Sequence, residues 1–137
     1  MRGLLLALAL ASAAQAEPRV AVLPFKDLSG AHPSVGEAIA ETVTSDLRAV
    51  PSVRVVERGS VDRVLHELEL TARRADLDVP STVKVGRLLS ATLIVIGSYQ
   101  NEGGAIRINA RFVEVQTGEV AGSAKVDGAV IARAPPK

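Results

Sequence analysis

The hydrophobic positions of this chain change period along its length. An apolar run from Leu4 to Ala11 is followed by a second, Val-rich run at Arg19–Phe25 (RVAVLPF). A nearly continuous apolar stretch of that length suits a strand covered on both faces, with Pro24 near its end, where a missing ladder donor is tolerated. Lys26–Pro33 reads as a loop by its Asp, Ser, Gly and Pro content. A helical period then begins. Ser34 with Glu37 forms a capping box, and Val35, Ala38, Ile39, Val43 and Leu47 make one apolar stripe, with Glu37, Glu41, Ser45 and Arg48 turned elsewhere. Val50-Pro51-Ser52 stops this helix, and Val53–Glu57 predicts a second short strand. After a turn at Arg58-Gly59, Ser60 is placed to cap a second helix with the stripe Val61, Val64, Leu65 and Leu68, which can continue through Thr71–Ala75. Asp76–Pro80 ends it, and Ser81 starts a third helix with Val85, Leu88 and Leu89 expected inside.

The second half alternates. Thr92–Gln100 (TLIVIGSYQ) predicts a strand, Asn101–Gly104 a tight turn, and Ile106–Val115 a strand with Ile106, Ile108, Ala110 and Phe112 on one face and Arg107, Asn109 and Arg111 on the other. Gln116–Glu119 is a further turn and Val120–Asp127 a closing strand. The order is β-α-β-α-α-β-β-β. Strands followed by helices can pair in parallel, whereas a meander must be antiparallel. The expected fold is therefore α/β of the α+β type: one domain over residues 17–128, with a mixed β-sheet of about five strands and the helices packed on it. Residues 129–137, which end in Pro135-Pro136-Lys137, form a tail with no pattern that would hold it to the core.

Composition sharpens the reading of the amino end. Arg2, the apolar run and the small residues Ala14 and Ala16 before Glu17-Pro18 follow the charged, apolar, small-x-small order of a cleavable secretory signal peptide over residues 1–16. The run is far shorter than the roughly 20 residues a spanning helix needs. Cleavage is expected between Ala16 and Glu17, which makes the protein periplasmic. The sequence holds no Cys, so no acylated cysteine can anchor it and no disulfide staples it. Removing Arg2, the only charged side chain before Glu17, brings the 16 basic residues to 15, equal to the 15 acidic ones. That balance argues against nucleic acid as a partner.

Candidate chemistry is sparse. His32 and His66 are the two imidazoles, and neither has a ligand-spaced His or Cys. No Ser sits in a Gly-x-Ser-x-Gly elbow. Glu37 and Glu41 are one helical turn apart but lie opposite the apolar stripe. No metal, cofactor or catalytic residue is assigned. One Tyr, two Phe and no Trp cannot supply the aromatic girdles of membrane strands, so direct membrane insertion is not expected. The segment before the first helix holds a lone Gly30, too few glycines for a phosphate cradle. Phe25, Asp27, Ser29 and Gly30 are instead expected to shape a rim at one sheet end where a small ligand or partner segment could dock. The closing strand, Val120–Lys125 (VAGSAK), leaves an edge of small residues open to strand addition.

Five segments, AVLPFKDLSG (21–30), VGEAIAETVTSDL (35–47), RVVERGSVDRVLHELEL (54–70), VKVGRLLSATLIVIGSY (83–99) and INARFVEVQTGEV (108–120), resemble in order and spacing a family of bacterial envelope domains of the CsgG, FlgO, LpoB and TolB-like amino-terminal type. The resemblance implies a domain that works by contact, through self-association or an envelope protein partner, without chemistry of its own, in curli, flagellar or outer-membrane assembly. Peripheral outer-membrane association is compatible with it. A periplasmic small-ligand or peptidoglycan-synthesis regulatory module is the alternative, with an enzyme the third and least supported reading. Two features depart from the family pattern: the missing lipoprotein Cys, and loops of only a few residues where a pore needs barrel hairpins. Cleavage at Ala16–Glu17 predicts a mature protein that begins with Glu17 and leaves with the periplasmic fraction. Amino-terminal sequencing that still reads residues 1–16 would contradict it.

Overall fold

Pro24 decides how the first apolar run enters the sheet. The computed structural model describes residues 17–29, 33–69 and 78–129, with Pro33 and Ala129 by backbone alone. The run forms β1 (Arg19–Val22). Lys26–Asp27, expected to open a loop, instead forms a short strand, β2, because the chain rejoins the same neighbour after Pro24. Both lie in line along β4 (Leu93–Glu102), parallel to it, with Val20 opposite Leu93 and Lys26 opposite Ser98. Between them Pro24 has no N–H to donate, and the Phe25 N–H turns out of the sheet to the Gly36 carbonyl of α1 (Pro33–Arg48), at 3.0 Å. On its other side β1 pairs in parallel with β3 (Arg54–Val55). β4 continues antiparallel into β5 (Ala105–Glu114) and β6 (Val120–Ala129). The sheet order is β3-β1-β4-β5-β6, with β2 also on β4. Among the described residues this is a single-domain, open mixed sheet of six strands with three helices, in the order expected except that β2 is added where a loop was expected.

Alternation along the first run sends its side chains to two cores. Ala21 and Leu23 join Ile94, Ile96 and Val113 beneath α2 (Arg58–Glu67) and α3 (Val79–Leu88), through Val61, Leu65, Val85 and Leu89. Val20, Val22, Phe25 and Val95 face α1 through Ala40 and the half-buried Ile39, Val43 and Leu47. Both faces are thus covered at β1, which is why that run reads as continuous rather than alternating. The hairpin β4–β5 turns at Gly103 and Gly104, both with positive φ (60° and 88°), a conformation that glycine adopts without steric cost.

Several boundaries differ from expectation. α1 starts at Pro33 rather than Ser34, because proline's fixed φ and absent N–H suit the first helical turn. α2 starts at Arg58, with Glu57 at its N-cap, so Arg58 and Ser60 lie inside the first turn. Arg58 has a structural task instead of a turn: its guanidinium donates to the Val22 carbonyl at 2.8 Å, supplying the donor lost where β3 ends and the chain becomes helical. It also sits 3.6 Å from Asp62. α3 begins at Val79, not Ser81, because the Asp78 carboxylate accepts the Ser81 N–H at 2.8 Å and Pro80 fits the first turn. Its buried face is Thr82, Val85, Gly86 and Leu89, leaving Leu88 at 55% exposure. Residues 82, 85, 86 and 89 share one side of a 3.6-residue period and residue 88 does not. The expected continuation through Thr71–Ala75 lies outside the described residues.

Two glycines make room for Phe25, which is 1% exposed. A Cβ at Gly97 of β4 would overlap the Phe25 ring and the Asn109 carbonyl, and one at Gly36 would overlap the Phe25 carbonyl. We expect Gly97→Ala and Gly36→Ala each to destabilise the protein by about 1–3 kcal/mol or more, since neither obstruction is the tip of a flexible chain. Chemical denaturation curves read this directly. Hydrogen bonds from the Ser81 hydroxyl, and then from its N–H, hold the Asp78 carboxyl below the usual carboxylate range. A depressed folded pKa contributes stability that is present above the unfolded value and lost as pH falls through the folded one. Asp78→Ala should therefore melt below wild type near pH 7, with the gap closing as pH falls through and below the ordinary carboxylate range.

Candidate functional site

The stripe that α1 turns toward the sheet is divided by residue size. Gly36, Ala40 and Thr44 are the buried positions and bring the helix close to the sheet, with the Thr44 hydroxyl satisfied by the Ala40 carbonyl at 2.7 Å. The bulkier members, Val35, Ile39 and Val43, sit beside that line and are only half-buried. They overhang the side of the sheet where β5 and β6 extend past the helix. There Ile108, Ala110 and Phe112 of β5 and Ala124 and Val126 of β6 present the apolar face of the hairpin. Between helix and hairpin lies an open groove of about 800 Å³, floored by Phe25 and Val95. Its polar members are Ser34 and Thr42, and the Thr42 hydroxyl is turned back onto the Ala38 carbonyl at 3.0 Å.

The residues expected to form a rim are distributed by the structure as follows. Phe25 enters the groove floor. Asp27 and Ser29 close on each other, the Asp27 carboxylate accepting the Ser29 N–H at 2.9 Å in a two-residue turn. Gly30 lies outside the described residues, as does Ala16. Glu17 is exposed, with its carboxylate 3.5 Å from Arg54. The alternation in β5 places Ile108, Ala110 and Phe112 as expected, but their face is a groove wall rather than closed core. Ala38, expected inside, is exposed at its margin. An apolar stripe on α1 wider than the sheet strip it covers, together with an alternating hairpin, is the signal for this groove that was present in the sequence.

The opposite face of the hairpin is charged. Arg107 donates to the Asp127 carboxylate across the β5–β6 ladder at 2.8 Å, and Lys125 lies 3.6 Å from the same carboxylate. The Arg107 hydrogen bond holds Asp127 below the usual carboxylate range and raises the arginine. Among the described residues β6 pairs with β5 on one side alone, and its register slips once, between Phe112 and Val113, leaving Ala121 as a bulge. Among the described residues, no three His, Cys, Asp or Glu side chains come together and no helix is long and apolar enough to cross a membrane.

Comparison with known proteins bears on the family and the fold. A family model described as curli production assembly/transport component CsgG matches residues 4–101. A protein named putative adenylate cyclase 3, from Rhizobium meliloti (strain 1021), is 31% identical over 106 residues, which are 75% of this chain, and the chain spans only 16% of it. Among solved structures, the LpoB C-terminal domain from Salmonella enterica superposes with a TM-score of 0.66 at 17% identity, covering 84% of each chain. The PelC dodecamer from Paraburkholderia phytofirmans gives a TM-score of 0.54 at 17% identity over 89% of this chain and 79% of that one. At such identities these structures establish the shared fold.

The groove should bind an apolar reporter dye. Ala38→Glu and Val126→Glu, both at exposed positions on its margin, are each expected to weaken dye binding several-fold while changing stability by only about 0.5 kcal/mol. Fluorescence titration and thermal melts on the same samples check this.

Proposed function

Because the chain belongs to the CsgG family, we propose that it is an exported, non-enzymatic interaction and assembly domain of the bacterial envelope, periplasmic once residues 1–16 are removed, acting through protein contact. The observation that carries this reading is the apolar groove between α1 and the β5–β6 hairpin. An open, apolar surface of this kind on a folded domain marks an interaction site. Its lining supplies no convergent polar groups to orient a reacting substrate, whereas it suits the apolar side chains of a protein partner. PelC, which shares the fold, is a dodecamer, and this supports the same class of role.

Site-specific photo-crosslinking in the native host tests the proposal. A photoreactive residue at Ala38 or Thr42, on the α1 side of the groove, should give discrete adducts with protein. The same residue at Arg63, exposed on α2, should not, and Ala38→Glu should suppress the adducts formed from position 42. Equal labelling from position 63, or adducts indifferent to Ala38→Glu, would remove the groove as the contact surface.

A further inference from the structure

The free edge of β6 carries two opposite charges in an order that is complementary to itself. Beyond the bulge at Ala121, the strand runs in regular register from Gly122 to Ala129 and, among the described residues, pairs with β5 alone. Its side chains alternate, Ala124 and Val126 toward the groove and Ser123, Lys125 and Asp127 toward the charged face. Val126 is 61% exposed, and Lys125 and Asp127 are 53% and 56% exposed.

A second copy laid antiparallel along this edge meets few acceptable registers. Centred on Lys125, the pairing sets lysine against lysine, and centred on Asp127, aspartate against aspartate; like charges directly opposite are destabilising. A slip of one residue puts Val126 beside a charge and turns the two grooves to opposite faces. Centred on Ala124, the pairing leaves Asp127 opposite the Ala121 bulge. Centred on Val126, it sets Lys125 of each copy opposite Asp127 of the other, Val126 against Val126, and Ala124 against Gly128. Charges then alternate across the joined sheet, Arg107 and Asp127 of one copy followed by Lys125 of the second. The two exposed valines cover each other at about 5 Å on the groove face, and the grooves of both copies open on the same side.

We propose that β6 is a homotypic interface, in which two copies of this chain join antiparallel over residues 123–129 about a two-fold axis at Val126. This names a second copy as one partner in the contact role proposed above and rests on that reading. Lys125 and Asp127, which on an edge would ordinarily repel foreign strands, here select a single register.

Sedimentation velocity on the protein purified from cells expressing the full chain, over a wide concentration range, should show a reversible monomer–dimer equilibrium. Lys125→Asp places aspartate against aspartate, and Asp127→Lys lysine against lysine, so each variant alone should weaken the dimer by roughly tenfold or more. Mixed in equal amounts they should recover it, because the heterodimer has two opposite-charge pairs. Melting curves establish that both variants fold. Independently, Val126→Cys, in a chain that otherwise holds no Cys, should oxidise to a disulfide-linked dimer, and Ser123→Cys should not. A wild type monomeric at every concentration that still gives groove-dependent crosslinks overturns the homotypic interface and leaves the contact role standing. A dimer whose two charge variants are not rescued by mixing overturns the register.

Discussion

The position of Phe25 between two glycines is the constraint on which the rest of this structure depends. Its backbone presses against α1 where Gly36 has no side chain, and its ring lies over β4 where Gly97 has none. That double contact follows from the break at Pro24, which takes residue 25 out of the parallel ladder and points its N–H at the helix. The helix is thereby fixed at close range over β1 and β4 rather than centred on the sheet. Small residues continue the close approach at Ala40 and Thr44. Larger ones are displaced to the side, and the groove is the space they overhang.

The unequal covering of the two faces is the second consequence. Among the described residues, two helices lie over one face of the sheet and a single helix over the other, while the antiparallel β5–β6 hairpin extends it beyond that single helix. On the two-helix face, β5 changes from the buried Val113 to Arg111, Asn109 and Arg107 as it leaves the shelter of α2 and α3, so water meets polar groups there. On the α1 face the alternation brings only Phe112, Ala110 and Ile108, and no polar side chain takes over. An antiparallel sheet commonly has one solvated face, and here that face is partly apolar. This apolar surplus is what distinguishes the α1 face from the two-helix face.

Much of the fold was legible before any coordinates. The continuous run at 19–25, the helical stripes and the alternating hairpin correspond to a buried central strand, three helices and a meander, because each period reflects which sides of an element meet the core. Helix starts were read less well. Ser34, Ser60 and Ser81 are plausible caps by residue type, yet α1 begins at Pro33, α2 takes Glu57 at its N-cap and α3 takes Asp78. Cap choice depends on where the preceding loop must leave the sheet, which residue type alone does not encode. The Arg58 contact with the Val22 carbonyl was equally illegible, since it joins residues far apart in the chain.

The amino-acid sequence by itself determined the class of fold, the order of its elements apart from β2, and the family, because hydrophobic period and turn residues are local properties of the chain. Only the tertiary structure decided that the stripe on α1 is half core and half groove wall, that the rim residues Phe25 and Asp27 part company, and that β6 stands at an edge with Lys125 and Asp127 side by side. Those outcomes depend on how far a helix reaches across a sheet and on which strand has no further neighbour. Both are set by contacts between residues distant in sequence, and no local period records them.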